Sequence, residues 1–160
     1  MARTPVRLTD PPEPPAAPPD VVELPGERPD PRRLQEAADR LNKSLAGFEK
    51  ALADLKLGVS ASIVLDQEED GDWIQYLVFR KVQGAFKLVV ESGQDGIPES
   101  FNTTPITSSS RETRLRAVEA LPDLYKKLLN AFDDEIKRVN ESITRVEELE
   151  RALRAKAAKP

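Results

Sequence analysis

The chain has 160 residues and a net charge of −4, and it contains neither cysteine nor histidine. This composition excludes disulfides, thiolate nucleophiles, iron–sulfur clusters and zinc sites built on cysteine or histidine, and it removes the commonest general base. The negative charge gives no global attraction to nucleic acid, and the apolar runs are far shorter than the roughly 20 residues that span a bilayer.

Prolines dominate the beginning of the chain. Ten of the fourteen lie between Pro5 and Pro31, among few apolar residues. Such a stretch buries too little surface to offset the entropy of ordering it, so we predict a disordered Pro-rich tail over residues 1–29. Its PxxP spacing is compatible with a polyproline II ligand, although a spacer is the simpler interpretation. A single α+β domain is predicted over residues 30–156, followed by a frayed C-terminus over 157–160.

The first element of this domain is a long helix over residues 31–57. Asp30 and Pro31 form a helix start, and Gly58 is a typical residue beyond a helix end. Apolar residues follow a seven-residue repeat in between, at Leu34, Leu41, Phe48 and Leu55, interleaved with Ala38, Leu45 and Leu52. This spacing predicts a continuous apolar seam along one side of the helix.

A three-stranded antiparallel meander is predicted next, over residues 59–66, 73–81 and 85–91. Apolar and polar residues alternate in the first strand, and the last two flank a two-residue turn at Gln83 and Gly84. Pairing across this turn places Leu77 and Phe79 on the core face of the sheet. The opposite face carries Ile74, Tyr76, Val78 and Val89.

The rest of the chain is predicted as a connection and a second long helix. Residues 92–108 lack periodicity and are interpreted as a mobile or functional loop. Ser109 and Glu112 form a capping box for a helix beginning near Arg111, and Pro122 predicts a kink or a short break in it. Beyond Pro122 the apolar spacing runs from Tyr125 and Leu129 to Val146, and Leu153 resumes it after Glu150. We therefore expect the two helices to pack along their seams, with the sheet on one side.

Two polar clusters are candidate binding sites. Residues 66–72 imitate the first half of a calcium loop, but position twelve is Leu77 instead of a bidentate glutamate, so a soluble acidic turn is the simpler interpretation. The second cluster is the helix start at Ser109, Ser110, Arg111 and Arg114, which could bind an anion such as phosphate or could be an ordinary solvated helix end. We predict no catalytic residue, no metal site and no cofactor.

Apolar residues without an obvious cover point to association surfaces. Ile74, Tyr76, Val78 and Val89 form one candidate surface, unless residues 111–121 or the long loop cover that face. The end of the second helix forms another, at Val146, Leu149 and Leu153, because this helix outruns the first.

These observations predict a non-enzymatic interaction protein that acts through helix- or sheet-mediated self-association, as a homo-oligomer, or by docking a protein partner. The absence of cysteine and of an apolar leader favours a cytoplasmic location. The alternative is a small anionic-ligand or nucleotide-binding domain, possibly enzymatic, in which the loop 92–108 closes over the sheet and Arg111 or Arg114 holds the anion.

Overall fold

The computed structural model describes residue 26 and residues 28–158, so the predicted tail over 1–29 lies almost wholly outside the described residues. The chain divides into two units, Met1–Pro31 and Arg32–Pro160. The described elements, in chain order, are α1 (Pro31–Asp54), β1 (Ala61–Gln67), β2 (Trp73–Val82), β3 (Ala85–Gln94), β4 (Asn102–Pro105) and α2 (Arg111–Ala157), with short 3₁₀ turns at Pro98–Ser100 and Ile106–Ser108. The fold class is α+β, as predicted.

The sheet has four antiparallel strands in the order β1-β2-β3-β4, so the predicted three-stranded meander is wrong by one strand. The fourth strand lies within the stretch 92–108, which is therefore not a single loop. β4 is four residues long, too short for alternation to be visible, and it ends at Pro105 opposite Val89 on β3. A proline is tolerated there because β4 is the edge strand.

The hairpin of β2 and β3 has the predicted register. Val82 pairs with Ala85 across the turn, and Phe79 pairs with Leu88. Both turn residues, Gln83 and Gly84, have positive φ angles of 50° and 91°. Positive φ at both central residues is what a type I′ turn requires, and the twist of that turn matches the twist of the two strands.

The hydrophobic core lies between one face of the sheet and the two helices. Its buried residues are Leu77, Phe79, Leu88 and Val90 from the sheet, Leu45 and Leu52 from α1, Ile106, and Ala117, Leu124 and Leu128 from α2. Leu41 and Phe48 of the predicted α1 seam pack against this cluster and are half-buried. The predicted core face of the hairpin and the inner half of the α1 seam are thereby confirmed.

The part of α2 that enters the core differs from the prediction. Its buried row is Ala117, Leu124 and Leu128, whereas Tyr125 and Leu129 of the predicted seam are exposed. The prediction that the two helices pack against each other along their seams is therefore wrong for α2. The apolar band of this helix is two rows wide, and the row that packs into the core is the one beside the predicted seam.

The beginning and the middle of α2 also correct the sequence analysis. Ser110, not Ser109, is the N-cap: its hydroxyl accepts a hydrogen bond from the backbone N–H of Thr113 at 3.1 Å. The helix continues through Pro122 without a break and extends to Ala157, one residue past the predicted domain end. Pro122 is exposed, so water can hydrate the backbone carbonyl that its missing N–H leaves without a partner.

Candidate functional site

An exposed apolar stripe follows α2 along nearly its whole length. Apart from Phe132, which is half-buried, its members are exposed, and they recur every three or four residues or at multiples of that spacing. The apolar stripe consists of Leu115, Val118, Tyr125, Leu129, Phe132, Ile136, Val139, Ile143, Val146 and Leu153. Side chains at this spacing lie on one side of a helix, so the stripe extends over about 57 Å from residue 115 to residue 153.

The second half of α2 has no cover within the described chain. Every residue from Ile136 to Ala158 is exposed, and residues 136–157 are hereafter the projecting half. Val146, Leu149 and Leu153, which the sequence analysis placed at an interface, have exposed fractions of 63%, 60% and 68%. The projecting half therefore presents apolar side chains to solvent over about 33 Å of helix.

Ion pairs along the projecting half stabilise the helix but do not explain its apolar side. Arg154 lies 2.5 Å from Glu150, and Lys137 lies 3.5 Å from Asp134. Pairs at this spacing contribute about 0.2–0.5 kcal/mol each to an isolated helix. Most helical stability in proteins comes instead from packing an amphipathic face, and the projecting half has no such packing against the described residues.

A second apolar surface lies beside the stripe, between the end of α1 and the first half of α2. The apolar groove, as it is called below, has a volume of about 340 Å³ and is lined by Phe48, Ala51, Leu52, Leu55, Leu121, Pro122 and Tyr125. Seven residues line it, and the phenol of Tyr125 is the one polar side-chain group among them. Leu55 is about half exposed there, so the groove is open to a further apolar element.

The outer sheet face is largely covered within the chain. Ile74, Val78 and Val89, three of its four candidate interface residues, are buried, and Tyr76 is half-buried. The ring of Phe101, from the segment before β4, lies 6.1 Å from the ring of Tyr76. The face therefore offers little apolar surface to a partner, and the alternative that the long connection covers it describes the structure better.

What remains open on the outer face is a depression of about 540 Å³, lined by apolar side chains such as Tyr76 and Phe101 and by the polar side chains of Arg80 and Glu91. Arg80 lies within it and donates from Nε to Glu91 at 2.6 Å and from Nη2 to Thr103 at 3.3 Å. Arg80 is thus held by groups of its own sheet, and the charged groups that the depression presents to solvent, Arg80 and Glu91, are already paired with each other.

The predicted anion site at the start of α2 has most of its groups engaged elsewhere. Ser109 donates to the carbonyl of Pro105, Ser110 caps the helix, and Nη1 of Arg114 donates to Asn42 on α1. The Nε atom of Arg114 is buried without a hydrogen-bond partner. Arg111 is exposed. Arg114 thus links the two helices, and anion binding here stays a prediction.

The first carboxylate of the acidic turn is also engaged. Asp66 lies on β1 and forms an ion pair with Arg116 on α2. The hydrogen bond that Arg116 donates to Asp66, followed by the negative charge of that carboxylate, raises the pKa of Arg116 above its ordinary value. Within the described part of the chain, no group of acidic residues has an arrangement that could hold a metal ion. No helix among residues 28–158 is long and apolar enough to cross a lipid bilayer.

Comparison with known proteins found no match, either to a family model, to a curated protein or to a solved structure. Function is therefore inferred from the surface of the molecule. Sequence reasoning found the apolar end of α2 but missed the groove, because its lining comes from two helices whose relative placement depends on the sheet.

Proposed function

We propose that this protein is a non-enzymatic, cytoplasmic interaction protein that acts by self-association through the apolar stripe of α2. The observation that carries the proposal is the projecting half, an unbroken helix whose apolar residues are all exposed. Exposed apolar patches of this extent are typical of interaction sites. A second copy of the chain is the simplest partner because it brings an identical apolar stripe.

Helical geometry supports association over any chemistry at this surface. The stripe repeats every three or four residues, which is the spacing that packs one helix against another. Two arginines that line depressions elsewhere, Arg80 and Arg116, are paired with neighbouring carboxylates in the fold. A catalytic site needs ionisable groups that converge on open space, and these two face their partners instead.

Sedimentation equilibrium of the full chain tests the proposal. The chain mass is 17.8 kDa, and we expect a multiple of this mass at high micromolar concentration. Val146→Glu places a charge in the stripe and should return the protein to monomer. Ala152→Glu is the matched control, because Ala152 is exposed on the same stretch of helix but lies off the stripe. A monomeric wild-type chain, or equal effects of the two variants, would refute self-association through this surface.

A further inference from the structure

We propose that two copies pair antiparallel, so that the projecting half of each lies in the apolar groove of the other. This inference rests on the proposed function, since it specifies how self-association occurs. It is carried by two apolar surfaces that residues 28–158 leave uncovered, the projecting half and the groove lined by Phe48, Leu55 and Tyr125. A twofold axis places the projecting half of each copy in the apolar groove of its partner. Both surfaces are therefore buried in both copies.

The stripe supplies the apolar layers of the proposed alignment. In an antiparallel pair with its axis between Lys137 and Arg138, the two rows of the stripe interlock in alternating layers. The layers on one side of the axis are Ile136 with Val139 of the partner subunit, Phe132 with Ile143 of the partner subunit, Leu129 with Val146 of the partner subunit, Tyr125 with Glu150 of the partner subunit, and Pro122 with Leu153 of the partner subunit. All but the fourth layer are apolar on both sides.

Charges beside the stripe agree with this alignment. Its solvent edge carries Glu119, Lys126, Asp133, Asn140, Glu147 and Arg154, seven residues apart and all exposed. Antiparallel pairing about the stated axis places Lys126 opposite Glu147 of the partner subunit and Glu119 opposite Arg154 of the partner subunit. Twofold symmetry doubles both, giving four attractive pairs at the rim of the interface.

Neighbouring alignments lose this complementarity. Shifting the helices by one seven-residue repeat in one direction places Lys126 opposite Arg154 of the partner subunit and Asp133 opposite Glu147 of the partner subunit. The same shift in the other direction places Asp133 against its own symmetry copy and Glu119 opposite Glu147 of the partner subunit. Like charges in facing positions are destabilising, so the charge pattern selects the proposed alignment over both. A shift of two repeats toward the C-terminus avoids repulsion but leaves the groove empty.

Two further residues of α2 fit an antiparallel pair. Glu150 interrupts the stripe, and in a parallel pair it would face its own copy across the seam. In the antiparallel pair it faces Tyr125 of the partner subunit, whose phenol can donate a hydrogen bond to the carboxylate. Leu149 lies beside the stripe and is exposed in the single chain. In the antiparallel pair it is on the side nearest α1 of the partner subunit, where the groove is apolar.

Distances between spin labels test the alignment directly, and the absence of native cysteine makes single-cysteine variants of the full chain clean. With Ala155→Cys, the two labelled sites should be separated by about 52 Å along the helix axis. Residue 155 of one copy lies level with residue 120 of the other, which is 35 residues of helix from residue 155. A parallel pair puts these labels at the same height, and the antiparallel pair shifted by two repeats separates them by about 32 Å. Lys137→Cys, beside the proposed twofold axis, should give a short distance.

The outcomes separate this inference from the proposed function. Oligomers with Ala155→Cys labels about 52 Å apart along the axis support antiparallel groove docking. Oligomers with labels at the same height, or about 32 Å apart, overturn it and leave self-association intact. A monomeric chain refutes both proposals.

Charge reversal provides a second test that does not depend on labels. Lys126→Glu should weaken association about tenfold, because two rim pairs become repulsive. Adding Glu147→Lys in the same chain should restore it. Lys137→Glu makes the same charge change away from the facing edge and should leave affinity within about twofold of wild type. Failure of the double variant to recover would overturn the alignment.

Discussion

The Cα atom of Phe101 lies 2.9 Å from the position that a side-chain Cβ would occupy at Gly93. Gly93 is on β3, opposite Ile74 of β2, and the absence of a side chain lets the segment before β4 fold onto the outer face of the sheet. A glycine within a strand often marks such a close approach of backbone. The relationship explains why the outer face is covered and why β4 can reach the sheet edge.

Gly93→Ala should therefore destabilise the fold. The added methyl would also lie 2.7 Å from the Ser100 hydroxyl, so β3 and the following segment must separate. Overpacking of this kind costs about 1–3 kcal/mol. Gly47→Ala is the matched control: Gly47 lies in α1 with nothing within 4 Å of its added Cβ, and alanine there should stabilise by about 0.5–1 kcal/mol. Urea unfolding measures both, and equal shifts of the same sign would contradict the close approach.

Local patterns predicted most of the fold. The β2–β3 register follows from a two-residue turn and the alternation beside it, both contained within about twenty residues. The buried row of α1 at Leu45 and Leu52 was predictable because the seven-residue repeat of this helix defines only one apolar side. The strand β4 could not be predicted, because its four residues have no alternation and become a strand only by pairing with β3.

The buried row of α2 could not be predicted for a different reason. Leu124 and Leu128 alternate with Tyr125 and Leu129, so both rows of this helix are apolar. The sequence alone does not indicate which row meets the sheet, since that choice depends on how α1 and the sheet are placed. The candidate surface shares this dependence: its projecting end was visible in the sequence, whereas the groove beside it was not.

The N-cap of α2 allows a test at two adjacent serines. Ser110→Ala removes the hydroxyl that accepts from the Thr113 N–H and should cost about 1 kcal/mol. Ser109→Ala removes only a 3.2 Å hydrogen bond to the carbonyl of Pro105 and should cost less. Urea unfolding of both variants measures the difference. If Ser109→Ala were the more damaging change, the helix would begin one residue earlier than the structure places it.

The ion pair of Asp66 and Arg116 should make a contribution to stability that does not vary with pH in the neutral and alkaline range. The raised pKa of Arg116 means that its contribution is complete below the ordinary arginine pKa and is lost only as pH rises through the higher folded value. Arg116→Gln should lower the urea midpoint by the same amount at about pH 7 and about pH 10. A difference that disappears by about pH 9 would contradict this assignment.

Adjacent leucines on α2 should separate the two roles of this helix. Leu128 is fully buried in the core, and Leu128→Ala should cost about 2–5 kcal/mol of folding free energy. Leu129 is 39% exposed on the stripe, so Leu129→Ala should cost about 1 kcal/mol or less in the single chain. The order reverses for self-association: at equal folded concentration, Leu129→Ala should weaken it and Leu128→Ala should leave it unchanged. Urea unfolding at low concentration and sedimentation equilibrium measure the two effects, and a Leu129→Ala chain that associates like wild type would place the interface elsewhere.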